Sequence, residues 1–194
     1  MKKILALTAF LVGTALAQES LYEPAPPANS AFVRVAGLPT AILGGKAVTA
    51  QPGAASAYVV IPQGDFAAKV GAVSSTLKVE AGKFYTVVSI GGKLAMLTDE
   101  AASNRAKALL TVYNLSKSSV DLKTADGKTT VVTAVKPGAS GSRAVNGITV
   151  DLMAFAGAKA LGTVKAVKLE RGNAYALVVT DTGMTVTTSS TKTR

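Results

Sequence analysis

Leu77 to Val88 (LKVEAGKFYTVV) returns 90 residues later as Val167 to Val178 (VKLERGNAYALV), with Lys78, Glu80, Gly82 and Tyr85 recurring as Lys168, Glu170, Gly172 and Tyr175. A second match, Ala31 to Leu38 (AFVRVAGL) with Ala108 to Leu115 (ALLTVYNL), lies at a spacing of 77 residues. Two tandem copies of one domain, the second about a dozen residues longer, account for both matches.

Within each copy the local pattern is β: short runs of Val, Ile, Thr, Leu and Tyr cut by Gly, Pro, Asn and Asp. The first copy has runs at Phe32–Ala36, Lys46–Thr49, Ala57–Ile61, Phe66–Val70, Ser75–Val79, Phe84–Ile90 and Lys93–Leu97. The second has Leu109–Asn114, Val120–Thr124, Thr129–Val135, Ile148–Ala154, Gly162–Leu169, Ala174–Val179 and Met184–Thr187. Gly91-Gly92 and Asp126-Gly127 suit two-residue hairpins, which require positive φ. The expected fold is all-β: two tandem immunoglobulin-like β-sandwich domains joined by a short linker. The boundaries are 1–17 signal peptide, 18–30 extended Pro-rich leader, 31–98 first sandwich, 99–106 linker, 107–190 second sandwich and 191–194 tail. The polar, Ala-rich stretch Asp99 to Leu110 has room for one helical turn. Domains joined this way are expected to touch little and to move relative to each other. The repeated Glu-x-Gly before a tyrosine reads as structural, with Gly supplying a turn and the hydroxyl satisfied locally.

The start of the chain reads as a secretory signal. Lys2 and Lys3 precede the apolar run Ile4 to Val12, and Ala15-Leu16-Ala17 is an A-x-A cleavage site, which places the protein in the periplasm with Gln18 as its first mature residue. The run is shorter than a bilayer span needs. After cleavage 177 residues remain, with 19 basic and 11 acidic groups. Residues 18–106 carry 7 basic and 6 acidic groups, and residues 107–194 carry 12 and 5, so an anion-facing half would be the second. Its candidates are Arg143, Lys159, Lys165, Lys168 and Arg171. Lys165 and Lys168 are three apart and face opposite ways if their strand is unbroken. A polyanion-binding face and a diffuse solubilising charge are both open readings.

Composition removes most catalytic machinery. The chain has no His and no Cys, so a Ser-His-Asp triad, an imidazole or thiolate metal site and a disulfide are all excluded. No catalytic residue, metal site or cofactor is expected. Asp99-Glu100 falls in the expected linker, where neighbouring acids are solvated, and neither Gly44-Gly45-Lys46 nor Pro137–Gly141 completes a phosphate loop. Asn114-Leu115-Ser116 fits the N-glycosylation pattern.

After the cleavage site comes Leu21-Tyr22-Glu23-Pro24-Ala25-Pro26-Pro27, then Ser30-Ala31-Phe32-Val33-Arg34-Val35 opening a strand. This leader resembles the start of the mature AlgF family, periplasmic alginate biosynthesis proteins required for O-acetylation. Asp65–Gly71 (DFAAKVG), Leu122–Thr129 (LKTADGKT) and Val167–Gly172 (VKLERG) extend the resemblance over essentially the whole mature chain. It implies a non-catalytic accessory protein that works with periplasmic polysaccharide O-acetyltransferases and a membrane-bound O-acyltransferase while an exopolysaccharide crosses the periplasm. A secreted carbohydrate-binding or surface-structural tandem β module is the alternative. Three prolines make the leader extended. Leu21, Tyr22 and Pro24 either dock on a partner, with Tyr22 as anchor, or fold back over an open edge of the first domain.

Overall fold

The computed structural model describes residues 25–189, and among these every regular element is a β-strand. The first domain comprises β1 (Ser30–Val35), β2 (Thr40–Leu43), β3 (Lys46–Thr49), β4 (Val59–Pro62), β5 (Gly64–Val70), β6 (Val73–Val79), β7 (Phe84–Ile90) and β8 (Lys93–Asp99). The second comprises β9 (Ala108–Asn114), β10 (Val120–Thr124), β11 (Thr130–Val135), β12 (Ser140–Val145), β13 (Thr149–Ala156), β14 (Lys159–Lys168), β15 (Ala174–Thr180) and β16 (Gly183–Ser189).

The repeat seen in the sequence is a repeat of topology. Sheets ordered β4-β1-β7-β8 and β3-β2-β5-β6 make the first sandwich, and β12-β9-β15-β16 and β11-β10-β13-β14 make the second. In each domain one pair is parallel, and its register is the same: Phe32 lies opposite Phe84, and Leu109 opposite Ala174. These are the partners that the two sequence offsets equate. The architecture is therefore the expected pair of tandem β-sandwiches, with eight strands in each. The turn before the repeated tyrosine is also shared. Gly82 and Gly172 adopt φ of 73° and 77°, and the hydroxyls of Tyr85 and Tyr175 accept from the backbone N–H of Glu80 and Glu170.

Strands β2 and β12 have no counterpart among the sequence runs. Thr40–Leu43 is only four residues between Pro39 and Gly44, and Ser140–Val145 (SGSRAV) lacks an apolar alternation because it is an edge strand held by backbone pairing to β9. Gly91-Gly92 closes a two-residue hairpin, with Ile90 opposite Lys93 and φ of 55° and 75°. Asp126-Gly127 instead sits in a longer loop whose Gly127 N–H bonds to Thr124 O and whose Lys128 N–H bonds to Asp126 Oδ1. The expected helical turn does not form: Asp99 closes β8, and residues 100–107 run irregularly into β9.

The domains do not merely touch. Each sandwich has its own core, and a third buried cluster joins them, built from Ala36, Ala55 and Val88 of the first domain and Tyr113, Ala176 and Val178 of the second. Strands β1, β7, β9 and β15 are consequently buried on both faces, which is why their sequences are near-continuous apolar runs. The result is four stacked sheets, with β4-β1-β7-β8 and β12-β9-β15-β16 as the inner layers. The contact is isologous in character: equivalent residues Val88 and Val178 share the cluster, and the equivalent loops Pro52–Ala54 and Pro137–Ala139 each reach the opposite domain. Thr185 Oγ1 donates to Gly53 O, while Ile90 packs beside Gly138. Glycine is required where the approach is tightest: at Gly37 (φ 81°) a Cβ would lie 2.3 Å from Leu115 Cδ1, and at Gly138 (φ 74°) 2.7 Å from Ile90 Cδ1.

Candidate functional site

The densest constellation of ionisable groups lies inside this junction. Arg34 stands in the apolar run of β1, on the face that meets the second domain, and is 2% exposed. A buried cation needs a counter-charge and fixed acceptors. Asp99, at the end of β8, supplies the charge with Oδ2 3.8 Å from Arg34 Nε. Thr86, paired beside Arg34 on β7, accepts from Arg34 Nε at 2.9 Å and donates to Asp99 Oδ2 at 2.6 Å. Tyr58, just before β4, donates to the same oxygen at 2.6 Å.

The fifth member comes from the other domain. Tyr113 of β9 accepts from Arg34 Nη2 at 2.7 Å and donates to Asp99 Oδ1 at 2.5 Å. The guanidinium carbon lies 4.3 Å from the Tyr58 ring centroid and 5.4 Å from that of Tyr113, so two aromatic faces also stabilise the cation. Among the described residues, Arg34 Nη1 is the only buried side-chain polar atom without a hydrogen-bond partner.

The electrostatics follow from burial and charge pairing. Burial works against the Arg34 charge, but Tyr113, Tyr58 and Asp99 outweigh it and hold its pKa above the ordinary value. Burial pushes both phenols well above the usual tyrosine range, against the pull of Arg34. Tyr58 and Tyr113 are thus fixed hydrogen-bond donors at neutral pH. Thr86 and Tyr113 are fully buried and the Asp99 side chain is 1% exposed, whereas Tyr58 is half-buried. The cluster's chemistry is to hold two sheets together. Among the described residues no group of three or more His, Cys, Asp or Glu could hold a metal ion.

The sequence places Asp99 in a solvated linker; the fold buries it because β8 continues two residues past Leu97 to pair Asp99 with Phe84. The signal that could have found the cluster is the arginine in an otherwise apolar strand, together with Tyr113, where the first copy has Ala36.

The five basic candidates do not share one patch. Lys159, Lys165 and Lys168 lie along the edge strand β14, whereas Arg143 lies on β12 at the other side of the sandwich. Arg143 Nη1 donates to the carbonyls of Thr130 and Val131, tying the edges of two sheets. Lys168 pairs with Glu170 at 2.9 Å, and Arg171 sits in the turn before β15. The strand carrying Lys165 and Lys168 is not unbroken. The register slips between Leu152↔Val164 and Val150↔Val167, and Ala166, at φ 51°, donates its N–H to Asp151 Oδ1 at 2.6 Å. The bulge inserts one residue, so Lys165 and Lys168 both point away from the core. A matching bulge lies on the opposite edge, where Ala134 (φ 52°) donates to Asp121 Oδ1. Asn114 of the glycosylation pattern is fully buried, with Nδ2 donating to Ser118 O and Val135 O. Leu21, Tyr22 and Pro24 lie outside the described residues, as does the signal segment.

The family model described as alginate O-acetyl transferase AlgF matches residues 3–176. A Pseudomonas putida protein named alginate biosynthesis protein AlgF is 40% identical over 173 residues, covering 86% of this chain and 80% of that one. The protein of the same name from Pseudomonas aeruginosa is 39% identical over 170 residues, covering 84% and 79%. A solved structure of the C-terminal domain of AlgF from P. aeruginosa is 42% identical, covers 43% of this chain and 96% of that one, and superposes with a TM-score of 0.38. With a family model spanning most of its length and relatives near 40% identity, the chain belongs to the AlgF family.

Proposed function

We propose that this protein takes part in alginate biosynthesis as a non-catalytic periplasmic adaptor, one that holds the components of a polysaccharide O-acetylation complex in a fixed arrangement. The observation that carries this reading is the sealed junction. Its acid, base and hydroxyl groups are consumed in joining two domains, and the four-layer stack leaves the two outer sheets facing away from each other. A body of that kind suits two partners held at a set separation. The acetyl transfer itself belongs to periplasmic O-acetyltransferases fed by a membrane-bound O-acyltransferase, consistent with a chain lacking His and Cys.

The test is affinity capture from periplasm together with a gene deletion. The adaptor reading expects recovery of acetyltransferase components, and a deletion strain that still exports polymer but without acetyl groups. Recovery of polymer alone would favour a carbohydrate-binding module. Turnover of an activated acetyl ester that survives repurification would overturn the non-catalytic assignment.

A further inference from the structure

The first domain is an internal reference for the second, and one tip of the second departs from it. The chain enters the first strand of each domain along the same path: Ser30 N–H donates to Pro27 O as Lys107 N–H does to Asn104 O, and the carbonyls of Ser30 and Lys107 accept from Gly82 and Gly172. This path and the strand register equate Ala28, Ser30 and Ala81 with Arg105, Lys107 and Arg171. In the other direction the second domain loses only one charge, having Asn173 in place of Lys83. A neighbouring loop differs as well. The chain crosses from β4 to β5 through Gln63 alone, but from β12 to β13 through Asn146, Gly147 and Ile148.

The segments that carry these changes touch one another. Lys107 Nζ donates to Asn146 Oδ1 at 2.6 Å, and Leu169 N–H donates to Ile148 O at 2.8 Å. Arg171 lies against Gly147, where a Cβ would come within 3.1 Å of Arg171 Cγ, and a Cβ on Gly172 would lie 3.6 Å from Arg105 O. Arg105 and Arg171 are exposed, as is Ile148 at 51%. Among the described residues neither arginine forms an ion pair, whereas the adjacent acid Glu170 is held by Lys168 at 2.9 Å. Glu100, further back on the linker, is the other acid nearby.

One exposed aliphatic side chain is ordinary on a protein surface. This one ends a lengthened loop beside three cations that the fold does not require, since the first domain builds the same strands with Ala28, Ser30 and Ala81. An apolar side chain among basic groups at the strand ends suits a flat anionic surface: the aliphatic group enters the acyl boundary while Lys and Arg reach the phosphates. An anionic sugar chain is a poorer match, because residues 105–107, 146–148 and 168–173 include no aromatic ring. We propose that this tip, with Ile148 at its centre and Arg105, Lys107 and Arg171 around it, docks on an anionic lipid surface. The inference does not depend on the adaptor reading.

Tryptophan fluorescence tests it in the mature form that begins at Gln18. The chain has no Trp, so Ile148→Trp is a sole reporter, and Ile42→Trp reports from the other exposed large apolar position among the described residues. With vesicles of phosphatidylglycerol and phosphatidylcholine in equal parts, the Ile148→Trp emission should shift to the blue and be quenched by brominated acyl chains, while that of Ile42→Trp stays unchanged. Phosphatidylcholine alone should shift neither. In sedimentation with the anionic vesicles, Arg105→Gln with Arg171→Gln should weaken binding roughly 30-fold and Ile148→Ser about tenfold, with Tm unchanged, whereas Lys83→Gln at the first domain's tip should leave binding as it was. No binding to the anionic vesicles, an equal response of the two tryptophans, or an equal loss from Lys83→Gln would overturn the proposal. So would a tip that takes up a soluble polyuronate but no vesicles.

Discussion

The two domains share a fold, a register and a face for meeting each other, yet they furnish that face differently. Where the first has Arg34, Tyr58, Thr86 and Asp99, the second has Thr111, Ser142, Ala176 and Ser189. In the second domain the polar contacts at these positions reduce to one hydroxyl pair, Thr111 Oγ1 and Ser142 Oγ at 2.9 Å, and a Ser189 hydroxyl that donates to Ala174 O. The sandwich therefore does not need the buried charges in order to fold. What sets the first domain apart is what it receives: Tyr113, at the position where the first domain itself has Ala36. The difference teaches that the ion pair serves the junction, converting an isologous apolar contact into one with a single defined geometry. That follows from its composition, since small residues such as Ala36, Ala55 and Ala176 permit sliding whereas three hydrogen bonds on one carboxylate do not.

The largest way to break the asymmetry is to strand the cation. Asp99→Ala leaves Arg34 buried without its counter-charge and should cost about 3–5 kcal/mol, read by chemical denaturation. The matching Ser189→Ala in the second domain should cost far less. Alkaline titration acts on the same cluster. An unfolded tyrosine ionises near pH 10, and burial holds Tyr58 and Tyr113 protonated well above that in the folded state. With their folded pKa raised, the unfolded chain releases these protons first. Stability is thus intact below about pH 9 and falls above pH 10, by up to about 2.7 kcal/mol per pH unit for the two groups. Tyr113→Phe keeps the ring and removes the hydroxyl, which should cost about 1.5–3 kcal/mol and roughly halve the alkaline slope. The smallest effect is expected for the double change Arg34→Met with Asp99→Leu. Removing both charges together should cost less than Asp99→Ala alone, because nothing charged is left unpaired, and a larger loss would mean that the first sandwich itself depends on the pair.

Much of this was legible in the sequence. The offsets of 77 and 90 residues locate the parallel strand pairs of both domains, and the Glu-x-Gly turn before Tyr85 and Tyr175 carries its own geometry. The junction was not legible, for a physical reason. A strand buried on both faces, such as β9 (ALLTVYN) or β15 (AYALVVT), has the same apolar run whether the second face meets its own domain or a neighbour. Asp99 was hidden because a carboxylate beside Glu100 in a polar, Ala-rich stretch looks solvated, and its partner Arg34 lies 65 residues away in the chain. Lys165 and Lys168 came to share a side only through a bulge set by Asp151, a register shift that spacing alone does not reveal.

The claim that the domains form one body through the Arg34–Asp99–Tyr113 contact is tested most directly by residual dipolar couplings measured separately for β1–β8 and β9–β16 in the intact protein. One alignment tensor, common to both domains in magnitude, rhombicity and orientation, is the expected result, with Asp99→Ala splitting it into two. Two distinct tensors in the unmodified protein would contradict the account.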